Sequence, residues 1–286
     1  MSETFKAALV QLTAGPDIDA NLERIEQLVG EASSVGAQFV CLPENCTQIQ
    51  PDKDKSLAEA DEEDGHRALA RLAEMASARN IWLQVGSLTV KAAPKHCWNR
   101  SYLLNPDGAV IARYDKIHLF EATVGDGQTY RESDYTAPGS QAVVAGLPWG
   151  GLGLTICYDM RFPHLYRHLA KVGADYITVP SAFTRPTGRD HWEVLLRARA
   201  IETGCYVLAA AQCGRHAGGR ETYGHSLIVD PWGGVLADGG EDEGIVVAEI
   251  DPSKVAGARA RIPALEHDRP YGAASEEPDL PRSRAG

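Results

Sequence analysis

Short apolar segments alternate with amphipathic ones along most of the chain. The apolar segments are rich in Val, Ile, Leu and Ala with little polar alternation, a pattern that predicts strands covered on both faces. They lie at residues 6–12, 38–42, 81–88, 102–104, 110–114, 152–156, 176–179 and 206–211. Two further segments, at 226–229 and 235–237, flank the sequence Pro-Trp-Gly-Gly and predict a hairpin.

The amphipathic segments carry apolar residues at spacings of three and four, which predicts helices. One helix is predicted over residues 18–32 with Gly36 beyond its C-terminus, and a second over residues 69–76. A third is predicted over residues 190–203, where Gly204 supplies the stop signal. Strands that alternate with helices, followed by one hairpin, predict an α/β fold built from layers.

The chain is predicted to form one domain. No Ser-, Gly- or Pro-rich linker divides it, and no internal repeat is visible. From about residue 267 onwards the apolar periodicity is lost, and Pro, Arg and Ser become frequent. We therefore expect a domain over residues 1–271 and a flexible C-terminal tail over residues 272–286.

Composition and charge exclude several functional classes. The formal net charge is −11, so the chain lacks the excess of Lys and Arg with which nucleic-acid binders neutralise phosphates. No apolar run is long enough to span a membrane, and the N-terminal segment lacks the pattern of a secretory signal. The six cysteines are scattered without a Cys-x-x-Cys pair, which argues against a disulfide framework or a zinc ribbon and favours the reducing cytoplasm.

Three polar side chains follow the ends of predicted strands, which is where ligands bind in open α/β sheets. Glu44, Lys116 and Cys157 each come within two residues of such an end. Singly, each has an ordinary explanation: the cysteine as a small buried hydrophobe, the glutamate as a capping or surface carboxylate, and the lysine as a surface amine. Their shared position favours a functional interpretation.

These side chains form a workable set for acyl transfer. Cys157 lies on a sharp turn between a strand and the helix that Pro163 would begin, and the positive end of a helix dipole favours the thiolate. Glu44 is the candidate general base, first for the thiol and later for a water. Lys116 would lower the thiol pKa and stabilise an oxyanion. The cysteine would then attack a carbonyl or nitrile carbon and form a thioester.

Three motifs carry a family resemblance. They are CLPENC at residues 41–46, RYDKIHLF at 113–120 and GLTICYDMRFP at 153–163. In this order they resemble the motifs of the nitrilase, or carbon–nitrogen hydrolase, superfamily, and the resemblance extends from the first strand to about residue 271. It implies a four-layer α-β-β-α sandwich whose subunits pair across helices as a homodimer or a higher homo-oligomer. It also implies that neither a metal nor an organic cofactor is needed.

The same resemblance implies roles for individual residues. Glu44 would be the general base, Lys116 the catalytic lysine and Cys157 the nucleophile. Glu132, in the sequence Tyr-Arg-Glu-Ser, matches a second family glutamate that positions the lysine and the substrate. The backbone amide of Tyr158 would share the oxyanion with the lysine.

Residues 180–216 and 223–233 resemble a narrower branch of the superfamily, which contains omega-amidases and, more closely, deaminated-glutathione amidases. This implies a thiol amidohydrolase that cleaves a small anionic primary amide to an acid and ammonia through a thioester. The acyl group would be a 2-oxo acid or its peptide conjugate, with deaminated glutathione as the leading substrate. Alternative substrates are 2-oxoglutaramate and an N-carbamoyl amino acid, and a non-catalytic scaffold of the same fold is a third interpretation.

An anionic substrate calls for cationic partners and an apolar wall. Arg161, after the nucleophile turn, and Arg185, in the loop after a strand, are candidates for bidentate hydrogen bonds to substrate carboxylates. The alternative is an ion pair with Asp159 or Glu193. Phe183 is a candidate wall of the pocket, although buried aromatic side chains are commonly plain core.

Overall fold

The computed structural model describes residues 3–124 and 128–272. Of the predicted tail, only Gly272 lies within the described residues. The strands are β1 (Phe5–Gln11), β2 (Phe39–Cys41), β3 (Trp82–Ala93), β4 (His96–Leu104), β5 (Val110–Asp115), β6 (Glu121–Val124), β7 (Gln128–Arg131), β8 (Val143–Leu147), β9 (Gly150–Leu154), β10 (Ala174–Thr178), β11 (Tyr206–Ala209), β12 (Cys213–Arg215), β13 (Glu221–Tyr223), β14 (Leu227–Val229), β15 (Val235–Asp238) and β16 (Gly244–Ile250). The helices are α1 (Ile18–Ser34), α2 (Lys53–Glu59), α3 (Arg67–Arg79), α4 (Pro163–Lys171), α5 (Arg185–Thr203) and α6 (Ser253–Arg261). Among these helices, none is both long enough and apolar enough to cross a membrane.

Two six-stranded sheets form the centre of the fold. One has the strand order β16-β1-β2-β3-β4-β5 and the other the order β15-β14-β11-β10-β9-β8. Each contains a parallel trio, β1-β2-β3 in the first sheet and β9-β10-β11 in the second, flanked by antiparallel strands. The loops after the parallel strands of a sheet therefore gather at one edge of that sheet, as expected for a ligand site.

The side chains of β1 show how the layers stack. Ala7 and Leu9 belong to the apolar core that also contains the inner face of the second sheet, whereas Ala8 and Val10 belong to the core that contains the buried faces of α1 and α3. Helices α4 and α5 pack against the second sheet. The order is helix, sheet, sheet, helix, so the predicted α-β-β-α sandwich is confirmed. Burial on both faces also explains why the strands are continuous apolar runs.

The predicted strands, the hairpin and the first two helices are all present. The third helix, α5, begins at Arg185 instead of residue 190, because Thr184 is its N-cap and a proline occupies its first turn. The apolar pattern did not indicate α2 and α6, nor the strands β6, β7, β8, β12, β13 and β16. For β16 the reason is its long-range partner: it pairs antiparallel with β1, from Phe5 opposite Ile250 to Gln11 opposite Gly244.

Candidate active site

Cys157 lies at a strained turn between β9 and α4. Its φ angle is 47°, in the left-handed region that residues with a side chain rarely adopt. The 3₁₀ turn Cys157–Arg161 follows at once, and α4 begins at Pro163 as the sequence predicts. The N–H of the cysteine donates to the carbonyl of Pro180 at 2.9 Å, which ties the turn to the loop after β10. The thiol is therefore held at the edge of the second sheet where the parallel strands end.

The buried carboxylate of Asp159 holds this turn in place. It accepts hydrogen bonds from the N–H of Ile156 (2.9 Å), the hydroxyl of Tyr114 (2.7 Å) and the N–H of His118 (3.0 Å). Tyr114 belongs to β5, so the carboxylate links the nucleophile turn to the first sheet. From the sequence, Asp159 was only a possible ion-pair partner of Arg161, because its actual donors are mostly distant along the chain.

Asp159→Asn is expected to lower the free energy of unfolding by about 1–3 kcal/mol, because its amide NH₂ would face buried donors that now bind a carboxylate. Equilibrium urea denaturation measures the change. Asp238→Asn is a matched control, since Asp238 lies at the surface beside His225, and its effect should stay within about 0.5 kcal/mol. Equal losses in the two variants would contradict the role of Asp159.

Glu44 lies in the loop after β2, and this loop packs closely on β3. A Cβ atom at Gly86 would stand 2.0 Å from the carbonyl oxygen of Pro43 and 2.2 Å from that of Leu42, so only glycine permits the approach. The carboxylate is buried, and its Oε2 accepts a hydrogen bond from the N–H of Ala182 at 2.8 Å. The side chain of Glu44 is thereby held between the loops of the two sheets.

The ammonium group of Lys116 is shared between two carboxylates. Its Nζ is 2.8 Å from Oε1 of Glu44, and 2.9 Å and 3.1 Å from Oε2 and Oε1 of Glu132. The lysine is only 2% exposed. Burial by itself would lower the pKa of Lys116, but the charges of Glu132 and Glu44 outweigh it and raise that pKa well above its usual value. The lysine therefore stays charged at the site.

Asn99, on β4, connects the charged groups to one another. Its Nδ2 donates to Oε1 of Glu44 at 3.0 Å and to Oε1 of Glu132 at 3.1 Å. Its backbone carbonyl accepts a hydrogen bond from the N–H of Lys116 at 3.0 Å. Asn99 thus positions all three groups. It was missed in the sequence, because the predicted strand covered only residues 102–104, whereas β4 begins at His96.

The thiol of Cys157 is held in its neutral form. Burial, followed by the negative charge of Glu44, raises the pKa of the thiol, and Lys116 opposes this increase only in part. The expectation that the turn favours the thiolate is therefore wrong, because burial and the adjacent carboxylate raise the pKa of the thiol. Burial also opposes ionisation of Glu44, but the charge and hydrogen bond of Lys116 lower its pKa below the usual value. A carboxylate thus faces a thiol, which is the arrangement of a general base and its nucleophile.

The structure brings together the four side chains predicted as catalytic, and they line a cavity of about 390 Å³. Tyr158 and Phe183, predicted as substrate-binding, line the same cavity. The first N–H groups of a helical turn have no partner within that turn. The amide of Tyr158, directly after Cys157, is therefore available as a hydrogen-bond donor beside the thiol. Other parts of the wall come from Gln50, Phe120, Tyr130, Tyr135 and Thr187.

Neither arginine predicted as a carboxylate ligand lines this cavity. The guanidinium carbon of Arg161 lies 5.9 Å from the ring centroid of Tyr158 and 5.4 Å from that of Phe183, so it packs on aromatic rings of the wall. Arg185 forms an ion pair with Glu241 at 2.8 Å, on the surface. The structure therefore does not support Arg185 as a substrate ligand, because the first turn of α5 directs it away from the cavity.

Three cations of the cavity wall, Lys53, Arg131 and Arg220, were missed in the sequence. Arg131 ends β7. Lys53 begins α2, and Arg220 directly precedes β13. None of these elements was predicted, so none of the three side chains could be assigned to a strand end. Among residues 3–124 and 128–272, no group of three or more His, Cys, Asp or Glu side chains has the arrangement of a metal site.

The chain is similar to known proteins over most of its length. A model of the carbon-nitrogen hydrolase family matches residues 6–260. A protein of Synechocystis sp. named deaminated glutathione amidase is 42% identical over 272 residues, which cover 92% of this chain and 97% of that protein.

Two solved structures share both fold and sequence with the chain. The NitFhit protein of C. elegans is 38% identical with a TM-score of 0.88, and the match covers 94% of this chain and 66% of that one. A glutamate-to-glutamine mutant of the amidase from Nesterenkonia sp. AN1 is 29% identical with a TM-score of 0.78, covering 93% and 94% of the two chains. In that mutant the active-site cysteine carries the acetamide moiety of fluoroacetamide.

Proposed function

Because this chain belongs to the carbon–nitrogen hydrolase family, we propose that it is an amidase that cleaves deaminated glutathione through a thioester on Cys157. The observation that carries the proposal is that Glu44 and Lys116 act on one buried thiol, while Glu132 holds Lys116. Buried charges are costly to keep, and clusters of them at a cavity are typical of catalytic sites. A non-catalytic scaffold of the same fold would have no use for this arrangement.

The acylation step follows from the positions of these groups. Glu44 takes the proton of the Cys157 thiol, and the sulfur attacks the amide carbon. The negative oxygen that develops is stabilised by the ammonium of Lys116 and by the N–H of Tyr158. Glu44 then gives the proton to the amide nitrogen, the C–N bond breaks, and an amine leaves behind the thioester.

The deacylation step reuses the same base. A water enters the place of the amine, and Glu44 removes its proton as the oxygen attacks the thioester carbon. The oxyanion returns to the same two donors, and the C–S bond breaks to release the acid. The thiol regains its proton from Glu44. Throughout, Glu132 and Asn99 keep Lys116 and the base in place.

The two leading substrates share an acyl group and differ in the amine. Both carry a 2-oxoglutaryl group, whose amide nitrogen belongs to cysteinylglycine in deaminated glutathione and is a simple NH₂ in 2-oxoglutaramate. They therefore give the same thioester and the same acid, and only the primary amide, 2-oxoglutaramate, releases ammonia. For deaminated glutathione the expected products are 2-oxoglutarate and cysteinylglycine, which corrects the expectation of a primary amide that releases ammonia. The name of the Synechocystis relative favours the longer substrate. The cavity of about 390 Å³ falls within the usual range for ligand sites.

The test compares kcat/KM for the two substrates, with 2-oxoglutarate as the product followed for both. Deaminated glutathione should be preferred by about tenfold or more, which corresponds to about 1.4 kcal/mol of transition-state discrimination. A tenfold preference for 2-oxoglutaramate would instead identify an omega-amidase, and turnover only of an N-carbamoyl amino acid would identify a hydrolase of that class.

Cys157→Ala is the matched control for this comparison. It should abolish turnover of both substrates, and the 2-oxoglutaryl adduct seen by mass spectrometry on the wild-type protein should be absent. Substantial turnover by the variant would refute the thioester mechanism. A wild-type protein with no adduct and no turnover on any of the three substrates would support the scaffold interpretation.

We also propose that the chain forms a homodimer across α5. Three apolar side chains on or beside this helix are exposed: Val194 at 69%, Ile201 at 57% and Trp232 at 47%. Ile201 lies against the turn that carries the tryptophan, as a Cβ atom at Gly233 would stand 2.6 Å from its side chain. An apolar surface of this kind is typical of an interface. Sedimentation velocity of the wild-type protein and of Val194→Asp measures the oligomeric state. The wild-type protein should sediment as a dimer and the variant as a monomer.

The proposed compartment is the reducing cytoplasm. All six cysteines are free and buried, and the nucleophile itself requires a reduced thiol. An oxidising compartment would expose the mechanism to loss of this thiol.

A further inference from the structure

The active-site cavity carries more positive charge than its own carboxylates neutralise. Its lining includes the carboxylates of Glu44 and Glu132 and the cations of Lys53, Lys116, Arg131 and Arg220. Both carboxylates bind Lys116. Within the described part of the chain, neither Lys53 nor Arg220 forms an ion pair, although the chain as a whole has a net charge of −11. A cationic cavity in an acidic protein is suited to an anionic ligand.

Arg220 is held close to the catalytic base. Its Nη2 donates to the carbonyl of Ala182, and the N–H of the same alanine donates to Oε2 of Glu44 at 2.8 Å. Its guanidinium carbon lies 5.6 Å from the ring centroid of Tyr130. The charge of Arg220 contributes to the lowered pKa of Glu44, after the larger effects of burial and Lys116. The guanidinium is thus fixed on the side of the cavity where the base lies.

A second segment brings further donors to the same part of the cavity. The turn before Arg220 packs on the loop before α2: Gly218 has a φ of 78°, and a Cβ atom there would stand 2.7 Å from Cβ of Pro51. That loop carries Gln50 and leads into Lys53, the first residue of α2, and both side chains line the cavity. The buried Nε2 of Gln50 and Nε of Arg220 have no hydrogen-bond partner among the described residues. These are unused donors beside two unpaired cations.

The reaction determines which end of the substrate meets these groups. The amide nitrogen must approach Glu44, because this carboxylate donates the proton to the leaving amine. Whatever is attached to that nitrogen then continues past Glu44 to the part of the cavity where Arg220 lies. In deaminated glutathione the attached group is cysteinylglycine, which ends in a carboxylate, whereas 2-oxoglutaramate has nothing there.

We propose that Arg220, with Lys53 at the same end of the cavity, binds the terminal carboxylate of the leaving peptide. Arginine is suited to this because its guanidinium recognises a carboxylate through two parallel hydrogen bonds. This leaving-group site rests on the proposed function, since it has an occupant only if the amine is a peptide. It gives Arg220 a role in selecting the longer substrate.

Arg220→Met tests this site, because kcat/KM for the two substrates can be compared in the same variant. Both substrates form the same thioester, so any effect of the variant on Glu44 or on deacylation is common to both. We expect kcat/KM for deaminated glutathione to fall about ten- to a hundredfold more than kcat/KM for 2-oxoglutaramate. Arg220→Lys should recover part of the ratio of kcat/KM for deaminated glutathione to kcat/KM for 2-oxoglutaramate, because lysine keeps the charge. The recovery should be incomplete, because lysine lacks the bidentate geometry. Arg185→Met is the matched control and should leave the ratio unchanged.

A modified substrate shows whether the carboxylate itself is recognised. In the modified substrate the terminal carboxylate of deaminated glutathione is converted to an amide. With the wild-type protein, kcat/KM for this substrate should be about tenfold or more below that for deaminated glutathione. With Arg220→Met, the two values should differ little. If the modified substrate loses the same factor in kcat/KM with both proteins, the contact between Arg220 and the carboxylate is wrong. The contact is also wrong if Arg220→Met lowers kcat/KM equally for the two natural substrates. A wild-type protein that fails to cleave deaminated glutathione would overturn the proposed function, and the leaving-group site with it.

Discussion

Glu44→Gln is expected to lower kcat/KM for deaminated glutathione by about 10²- to 10⁴-fold, the contribution of a positioned general base. Burial is the largest cause of the raised pKa of the Cys157 thiol and remains when Glu44 is replaced, so little thiolate forms at neutral pH without a base. Glutamine has nearly the same volume, and its carbonyl oxygen can still accept the hydrogen bond from the N–H of Ala182. It cannot take the proton. Steady-state kinetics at neutral pH measure the loss.

The pH dependence of alkylation separates the loss of the base from a loss of the fold. In Glu44→Gln the negative charge beside the thiol is gone while Lys116 remains, so the pKa of Cys157 should be lower than in wild type. Iodoacetamide labelling followed by mass spectrometry should then reach its midpoint at a lower pH. Glu193→Gln, at a surface glutamate paired with Arg197, is the control and should behave as wild type. Turnover of Glu44→Gln within tenfold of wild type would contradict the role of the base.

Lys116→Met is expected to abolish detectable turnover and to lower the free energy of unfolding by about 3–5 kcal/mol at neutral pH, the usual cost of removing one partner of a buried ion pair. The ammonium lies within 2.9 Å of an oxygen of both Glu44 and Glu132, and the lysine is 2% exposed. Methionine fills much of the space but leaves two buried carboxylates without their cation. It also removes one of the two donors to the oxyanion. Urea denaturation and product assays measure the two effects.

The stability difference between wild type and Lys116→Met should depend on pH. In the wild-type protein the pKa of Glu44 is lower in the folded state than in the unfolded state, where it is about 4.3. The ionised carboxylate therefore contributes to the free energy of unfolding above a pH of about 4.3, and this contribution is lost as the pH falls through the folded-state pKa. Without Lys116, burial raises the pKa of Glu44 in the folded state, so protonation relieves the cost at low pH.

The difference in unfolding free energy should therefore narrow as the pH falls from neutral to about 4. Lys91→Met, at an exposed lysine paired with Glu62, is the control and should show a small difference at every pH. A large difference for Lys116→Met that does not change with pH would show that lost packing, and not the unpaired carboxylates, destabilises the variant.

Local patterns were sufficient for the α/β elements and for the turn at Cys157. A strand buried on both faces must be apolar at nearly every position, so the segments that became β1, β9, β10 and β11 were visible as runs. The turn at Cys157 was visible for a similar reason, since the apolar run ends there and Pro163 marks the start of a helix within six residues. Each of these signals depends on neighbours along the chain, and each is present in the structure.

The chemistry of the site depends on contacts that no local pattern records. Glu44 and Lys116 are 72 residues apart and Glu44 and Ala182 are 138 apart, so the position of the base is set by the packing of two sheets. Asn99 and Arg220 were missed for this reason.

The upward shift of the Cys157 pKa also arises from contacts between distant segments. The local turn predicted a thiolate, but burial and the charge of Glu44, which raise the pKa of the thiol, exist only once distant segments meet. The residue types and their strand ends were readable from the chain alone, whereas burial and electrostatic coupling arise only when the two sheets close around the thiol.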